Sequence, residues 1–125
     1  MMNKEIRTEW VTALRSGEYE QALRKLFRVE DGEVTGYCCL GVLTDLYLKD
    51  KDLTLAELKA SDGDSQYLTQ AVREWSGLSE SDPEVKASDG SDGYCQENLS
   101  TLNDGGTHLG QMNFLQIATL IEANL

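Results

Sequence analysis

Two adjacent cysteines, Cys38 and Cys39, lead into an apolar run, and the single histidine, His108, stands four residues after Asp104. A thiol at the start of a helix has its pKa lowered by the backbone dipole. With a histidine as base and a carboxylate behind it, such a thiol becomes a nucleophile. The competing reading is packing. Cysteine behaves as a small hydrophobe, and Leu40, Val42 and Leu43 follow directly. Packing is the preferred reading, so Cys39→Ser should cost stability rather than activity.

Metal chemistry finds less support. Cys38, Cys39, Cys95 and His108 contain no C-x-x-C pair, and adjacent cysteines are hard to aim at one ion. "SDGDS" (61–65) and "SDGSDG" (88–93) cluster carboxylates with glycine, but the EF-hand spacing with its closing glutamate is absent. Asp, Gly and Ser are also the ordinary residues of turns. No metal or other cofactor is expected.

Anion binding rests on Arg24, Lys25 and Arg28, with Tyr19, Tyr37 and Trp10 as neighbours able to stack on a base. Arginine suits phosphate because its planar fork donates two bonds at once. Strand geometry and helical i, i+4 geometry each place Arg24 and Arg28 on one face, so this pair is the expected core of the pocket. The alternative is that these cations balance nearby carboxylates. Neither GxGxxG nor a GxxxxGK phosphate loop is present.

The charge sets limits on partners. The 125 residues carry a formal net charge of −11. Residues 1–28 hold six basic and four acidic groups, whereas residues 29–125 hold five and eighteen. General nucleic-acid binding needs cations to replace counterions, so it is not expected. An anionic membrane surface is disfavoured for the same reason. No run reaches the ~18 apolar residues of a membrane span, and "MMNKEIRTEW" lacks a signal-peptide core. The expectation is a cytoplasmic chain with three free thiols, in one domain spanning 1–125.

The elements that must position these residues are mostly helices. Ile6, Trp10, Ala13 and Leu14 form one apolar stripe, with Asn3 to cap it and Gly17 to end it. Residues 19–23 read as a short helix or turn. "EDGE" predicts a hairpin turn joining strands of about 24–29 and 33–38. Leu40, Leu43, Leu46 and Tyr47 predict a buried helix over 39–48, within which Gly41 calls for a close neighbour. Shorter helices are expected at "TLAELKAS", "SQYLTQAVREWSGL" and "ENLSTLNDGG", a turn at "SESDPEV", and a closing helix over 111–123. "KASDG" occurs at 59–63 and 86–90, but unlike flanks argue against a repeat fold. The fold class is α+β: a compact, mostly helical domain with a β-hairpin or small antiparallel sheet packed on helices 39–48 and 111–123.

Several spellings together resemble a family of small proteins encoded by tailed bacteriophages and prophages. They are Trp-x-x-Ala-Leu-Arg-Ser-Gly-x-Tyr (10–19), Tyr-Cys-Cys-Leu-Gly-Val-Leu-x-Asp-Leu-Tyr (37–47), Val-Arg-Glu-Trp-x-Gly-Leu (72–78), Leu-x-x-Leu-Asn-Asp-x-Gly (99–106) and Phe-x-x-Ile-Ala-x-x-Ile-Glu (114–122). One departure is that the segment after the tyrosine, extended and rich in Gly-Arg in that group, is "EQALRKLF" here. The resemblance implies phage origin. By analogy of size and setting it implies a non-enzymatic accessory protein that antagonises host defence by sequestering a small anionic, nucleotide-like signal, as a possible homo-oligomer. The alternatives are an acidic interaction module, such as a DNA mimic, that inhibits a host protein, and a thiol enzyme built on Cys38 or Cys39, with Asp104 and His108.

Overall fold

The computed structural model describes residues 2–62, 67–88, 94–106 and 110–125. It is an α+β domain in which helices dominate and two small antiparallel sheets pack on them.

Helix α1 spans Lys4–Arg15. The Asn3 side chain accepts from the Glu5 and Ile6 amides, at 2.9 and 3.1 Å, and so satisfies two donors that the first turn leaves over. The stripe buries Trp10, Val11 and Leu14 against the last helix, α6 (Phe114–Asn124), and the central one, α2 (Cys39–Lys51).

Strands β1 (Phe27–Glu30) and β2 (Glu33–Tyr37) form the expected hairpin. Asp31 and Gly32 turn it with φ of +51° and +80°, the geometry that matches strand twist. The first strand starts later than its sequence suggests, because Arg24 has φ of +68° and belongs to neither strand nor helix. No helix forms over 19–23. This segment crosses beside Tyr37, where the Ala22 amide donates to Tyr37 O at 2.7 Å and the Tyr37 amide to Glu20 O at 2.8 Å.

Helix α2 is the centre of the molecule. Cys39 through Thr44 and Leu48 are buried, and the helix touches α1, β2 and two helices still to come. Gly41 has the close neighbour that its position calls for. A Cβ there would stand 2.8 Å from the Leu26 carbonyl carbon and closer still to its oxygen. Leu55–Asp62 forms α3, opened by Thr54 and Glu57, whose amides and side chains cap each other. Gln70–Ser76 forms α4, stopped by Gly77 at φ +83°.

A second hairpin, β3 (Glu84–Ser88) with β4 (Tyr94–Asn98), was not expected from the sequence. It pairs Glu84 with Asn98 and Ala87 with Cys95. The alternation in "EVKA" is its one signal, with Val85 and Ala87 buried and Glu84 and Lys86 exposed. Helix α5 (Leu99–Asp104) follows without a loop, and Gly105 ends it at φ +79°. The closing helix begins at Phe114 rather than 111, because Asn113 and Gln116 form a capping box there. β2 rests on α2, and β3 rests on α6.

Candidate functional site

The thiols come first. Cys38 caps α2, its Sγ accepting from the Gly41 amide at 3.4 Å. Burial pushes its thiol up to about 11, with the backbone amides of Gly41 and Leu40 pulling the other way. Cys39 is fully buried, its Sγ donates toward Leu99 O at 3.7 Å, and burial raises it well above the ordinary thiol range. A nucleophilic thiol needs the opposite shift. Cys38 and Cys39 are therefore packing elements of the α2 N-terminus. At pH 8 Ellman's reagent should leave Cys38 and Cys39 unlabelled in the folded protein and label them on denaturation. Cys39→Ser should cost about 1–3 kcal/mol, since a hydroxyl replaces a fitted thiol in a dry site. Rapid native labelling of either residue would contradict this.

Trp10 must be corrected as a stacking residue. It is 0% exposed, and its Nε1 donates to Cys39 O at 2.9 Å. No ligand reaches it while α1 and α2 are packed.

Tyr19 and Tyr37 pack on each other, edge to face with centroids 4.8 Å apart. Phe27 also packs edge to face on Tyr37, with centroids 5.6 Å apart. The Tyr19 hydroxyl donates to Asp45 Oδ2 at 2.6 Å and accepts from Lys49 Nζ at 3.2 Å. Burial, with the Asp45 bond second, pushes Tyr19 up to about 12, so at neutral pH it is a neutral phenol and not a base. Tyr19 also lines two clefts. One, of about 300 Å³, includes Arg15, Gln21, Asn113 and Phe114. The other, of about 510 Å³, includes Thr12, Ala13, Leu46 and Lys49. Neither is lined by Arg24, Lys25 or Arg28.

The cations do not form the expected pair. Arg28 is a structural tie. Its Nη2 donates to Thr35 O at 2.8 Å and its Nε to Thr35 Oγ1 at 3.1 Å, with Glu20 and Glu30 each 3.5 Å away. It also lies across Gly36, where an added Cβ would be 3.1 Å from its guanidinium carbon. Arg24 is exposed and left-handed, so the shared face that helix or strand geometry would give it with Arg28 does not exist. Lys25 is exposed beside it. Among the described residues neither Arg24 nor Lys25 pairs its side chain with a carboxylate.

What holds this loop is a pair of residues that sequence reasoning undervalued. Asn103 is fully buried on α5. Its Nδ2 donates to Ala22 O at 2.9 Å, and its Oδ1 accepts from Gln21 Nε2 at 2.9 Å and from the Cys39 amide at 3.2 Å. Gln21 Nε2 also reaches Met112 O at 2.8 Å. Asp104, next in sequence, accepts the Arg24 amide on Oδ1 at 2.9 Å. The chain from Glu20 to Leu26 is thereby strapped down at Glu20, Ala22, Arg24 and Leu26, and it presents Leu23, Arg24 and Lys25 outward. The "LND" spelling in the sequence was the available signal for Asn103.

His108 and most of the two acidic glycine segments, 61–65 and 88–93, lie outside the described residues. Asp104 serves the Arg24 amide. Among the described residues no group of three His, Cys, Asp or Glu side chains is placed to hold a metal. No helix among them is long and apolar enough to cross a membrane.

No curated protein and no solved structure matches this chain. A family model, described as a domain of unknown function (DUF8296), matches residues 2–125, and the chain belongs to that family.

Proposed function

We propose that this is a non-catalytic binding protein that captures a small anionic, nucleotide-like ligand on the strapped loop from Glu20 to Leu26. The observation that carries the reading is Arg24. A non-glycine residue at φ +68° is costly, and such strain persists where surroundings over-determine it, often at binding sites. Here it presents two adjacent cations that pair with no carboxylate among the described residues, from a chain of net charge −11. Rigid presentation lowers the entropy lost on binding. In the phage setting that the sequence resemblance implies, the protein acts in the host cytoplasm as an accessory that withdraws a nucleotide signal from host defence.

Calorimetry with a panel of cyclic and linear nucleotides tests the reading. Arg24→Ala should leave the fold intact and lose about 1.5–3 kcal/mol of affinity, the scale of a charge-assisted bond. Lys25→Ala should weaken binding less, because a lysine gives phosphate one point contact. Arg28→Ala should loosen the β1–β2 hairpin and change affinity little. A wild type that binds no nucleotide overturns the proposal.

A second reading, a contact with a host protein, is favoured by Leu23. It is 40% exposed at the outward tip of the same loop, and neither Leu23 nor the cations beside it line the two clefts at Tyr19. In that case a pull-down from host lysate recovers a protein, and a contact seated on Leu23 holds as salt rises, whereas a purely charged one weakens.

A further inference from the structure

We propose that Asp104 is a positioning residue: it holds Arg24 in its left-handed conformation and so supports anion binding against the sign of its own charge. The inference rests on the reading of Arg24 as a ligand contact. Left to itself, an arginine backbone disfavours this conformation by about tenfold or more. Among the described residues the compensating bond at the residue itself runs from the Arg24 amide to Asp104 Oδ1 at 2.9 Å. The acceptor is well fixed. Asp104 is the last residue of α5, its Oδ1 also receives Asn103 Nδ2 at 2.9 Å, and the Gly105 turn closes the helix behind it.

The work is divided between neighbours. Asn103 grips the loop at Ala22, two residues earlier, and β1 takes over three residues later. Losing the Asp104 oxygen therefore leaves the loop attached and frees chiefly the Arg24 dihedrals. Apparent affinity then falls by the fraction of molecules still in the competent conformation.

The sign makes this testable. A carboxylate that is only an electrostatic neighbour of an anion site repels the ligand, so removing it in any way tightens binding. A strap behaves otherwise. Asp104→Asn keeps an oxygen acceptor and drops the charge, whereas Asp104→Ala drops the two together. The full chain is titrated with the tightest-binding nucleotide of the panel and with inorganic pyrophosphate, and amide hydrogen exchange is followed at Arg24. Asp104→Ala should weaken binding about tenfold. Asp104→Asn should bind as wild type or up to about fivefold tighter. Arg24 exchange should speed up in the alanine variant alone. In an Arg24→Ala background, which keeps the backbone amide but lacks the side chain that it positions, Asp104→Ala should no longer weaken binding.

Tighter binding by Asp104→Ala, or equal weakening by the two variants, overturns the inference. Arg24 exchange that is unchanged by Asp104→Ala overturns the strap itself. If the wild type binds neither probe, the ligand reading falls and takes the affinity claim with it, while exchange at Arg24 still decides whether Asp104 holds the loop.

Discussion

Gly41→Ala is expected to destabilise the protein by more than about 3 kcal/mol, beyond the usual range for one added methyl in a core. An exposed helical glycine behaves oppositely, and alanine there gains about 1 kcal/mol. The difference is the obstacle. The new methyl meets the Leu26 carbonyl, and backbone cannot rotate away as a side-chain tip can. Nor is that carbonyl idle, since it accepts the Cys38 amide at 3.2 Å and fastens the end of the strapped loop to the start of α2. Any shift that admits the methyl lengthens this bond and pulls on the loop. Urea denaturation of the two proteins decides the matter. A variant as stable as wild type, or more so, would show that α2 and the Leu26 segment are not in contact as described.

The second large effect is expected at Asn103. Truncation to alanine strands the Cys39 amide and the Ala22 carbonyl and takes from the Gln21 amide group one of its two acceptors, leaving it Met112 O. Each unsatisfied buried group costs about 1–3 kcal/mol, and the three are neither independent nor equally dry, so the expected loss is about 3–5 kcal/mol. Asn103→Asp should not rescue it. The aspartate keeps an acceptor for Cys39 and Gln21 but turns an oxygen toward the Ala22 carbonyl and the Asp104 carboxylate. Thermal melts of the two variants, with hydrogen exchange at Ala22 and Arg24, test this. A loss under about 1 kcal/mol in either would contradict the hub.

These two residues mark the boundary of what the sequence discloses. Elements governed by local rules were legible. The Trp10 stripe with its Asn3 cap, the Asp31–Gly32 hairpin turn, the apolar run of α2 and the Gly77 stop follow from periodicity and turn chemistry within a few residues. Gly41's need for a neighbour was legible too, although not which neighbour. The second hairpin was missed because Asp, Gly and Ser drew the reading toward turns, and its strands offer a single β-branched residue, Val85. Residues 19–26 were illegible for a deeper reason. Their own sequence suits helix or strand equally, and bonds from Tyr37, Asn103 and Asp104 impose a third conformation. The site inherited that ambiguity. Tyr19 and Tyr37 meet each other, Trp10 is core, and Arg24 parts from Arg28 because one dihedral follows tertiary contacts.

The reach of Asn103 along the chain also carries a consequence for how the molecule assembles. Its bonds to Cys39, Ala22 and Gln21 span 64, 81 and 82 residues of sequence. Closing loops of that length must be accomplished before the contacts contribute anything, so they form late relative to local helices and the first hairpin. During synthesis, residues 20–26 leave the ribosome long before their clamp exists, and they sample helix and extended forms until α5 arrives. The strapped loop is thus among the last parts of the protein to acquire its shape. A nascent or truncated chain lacking α5 would hold Arg24 and Lys25 without the conformation that presents them.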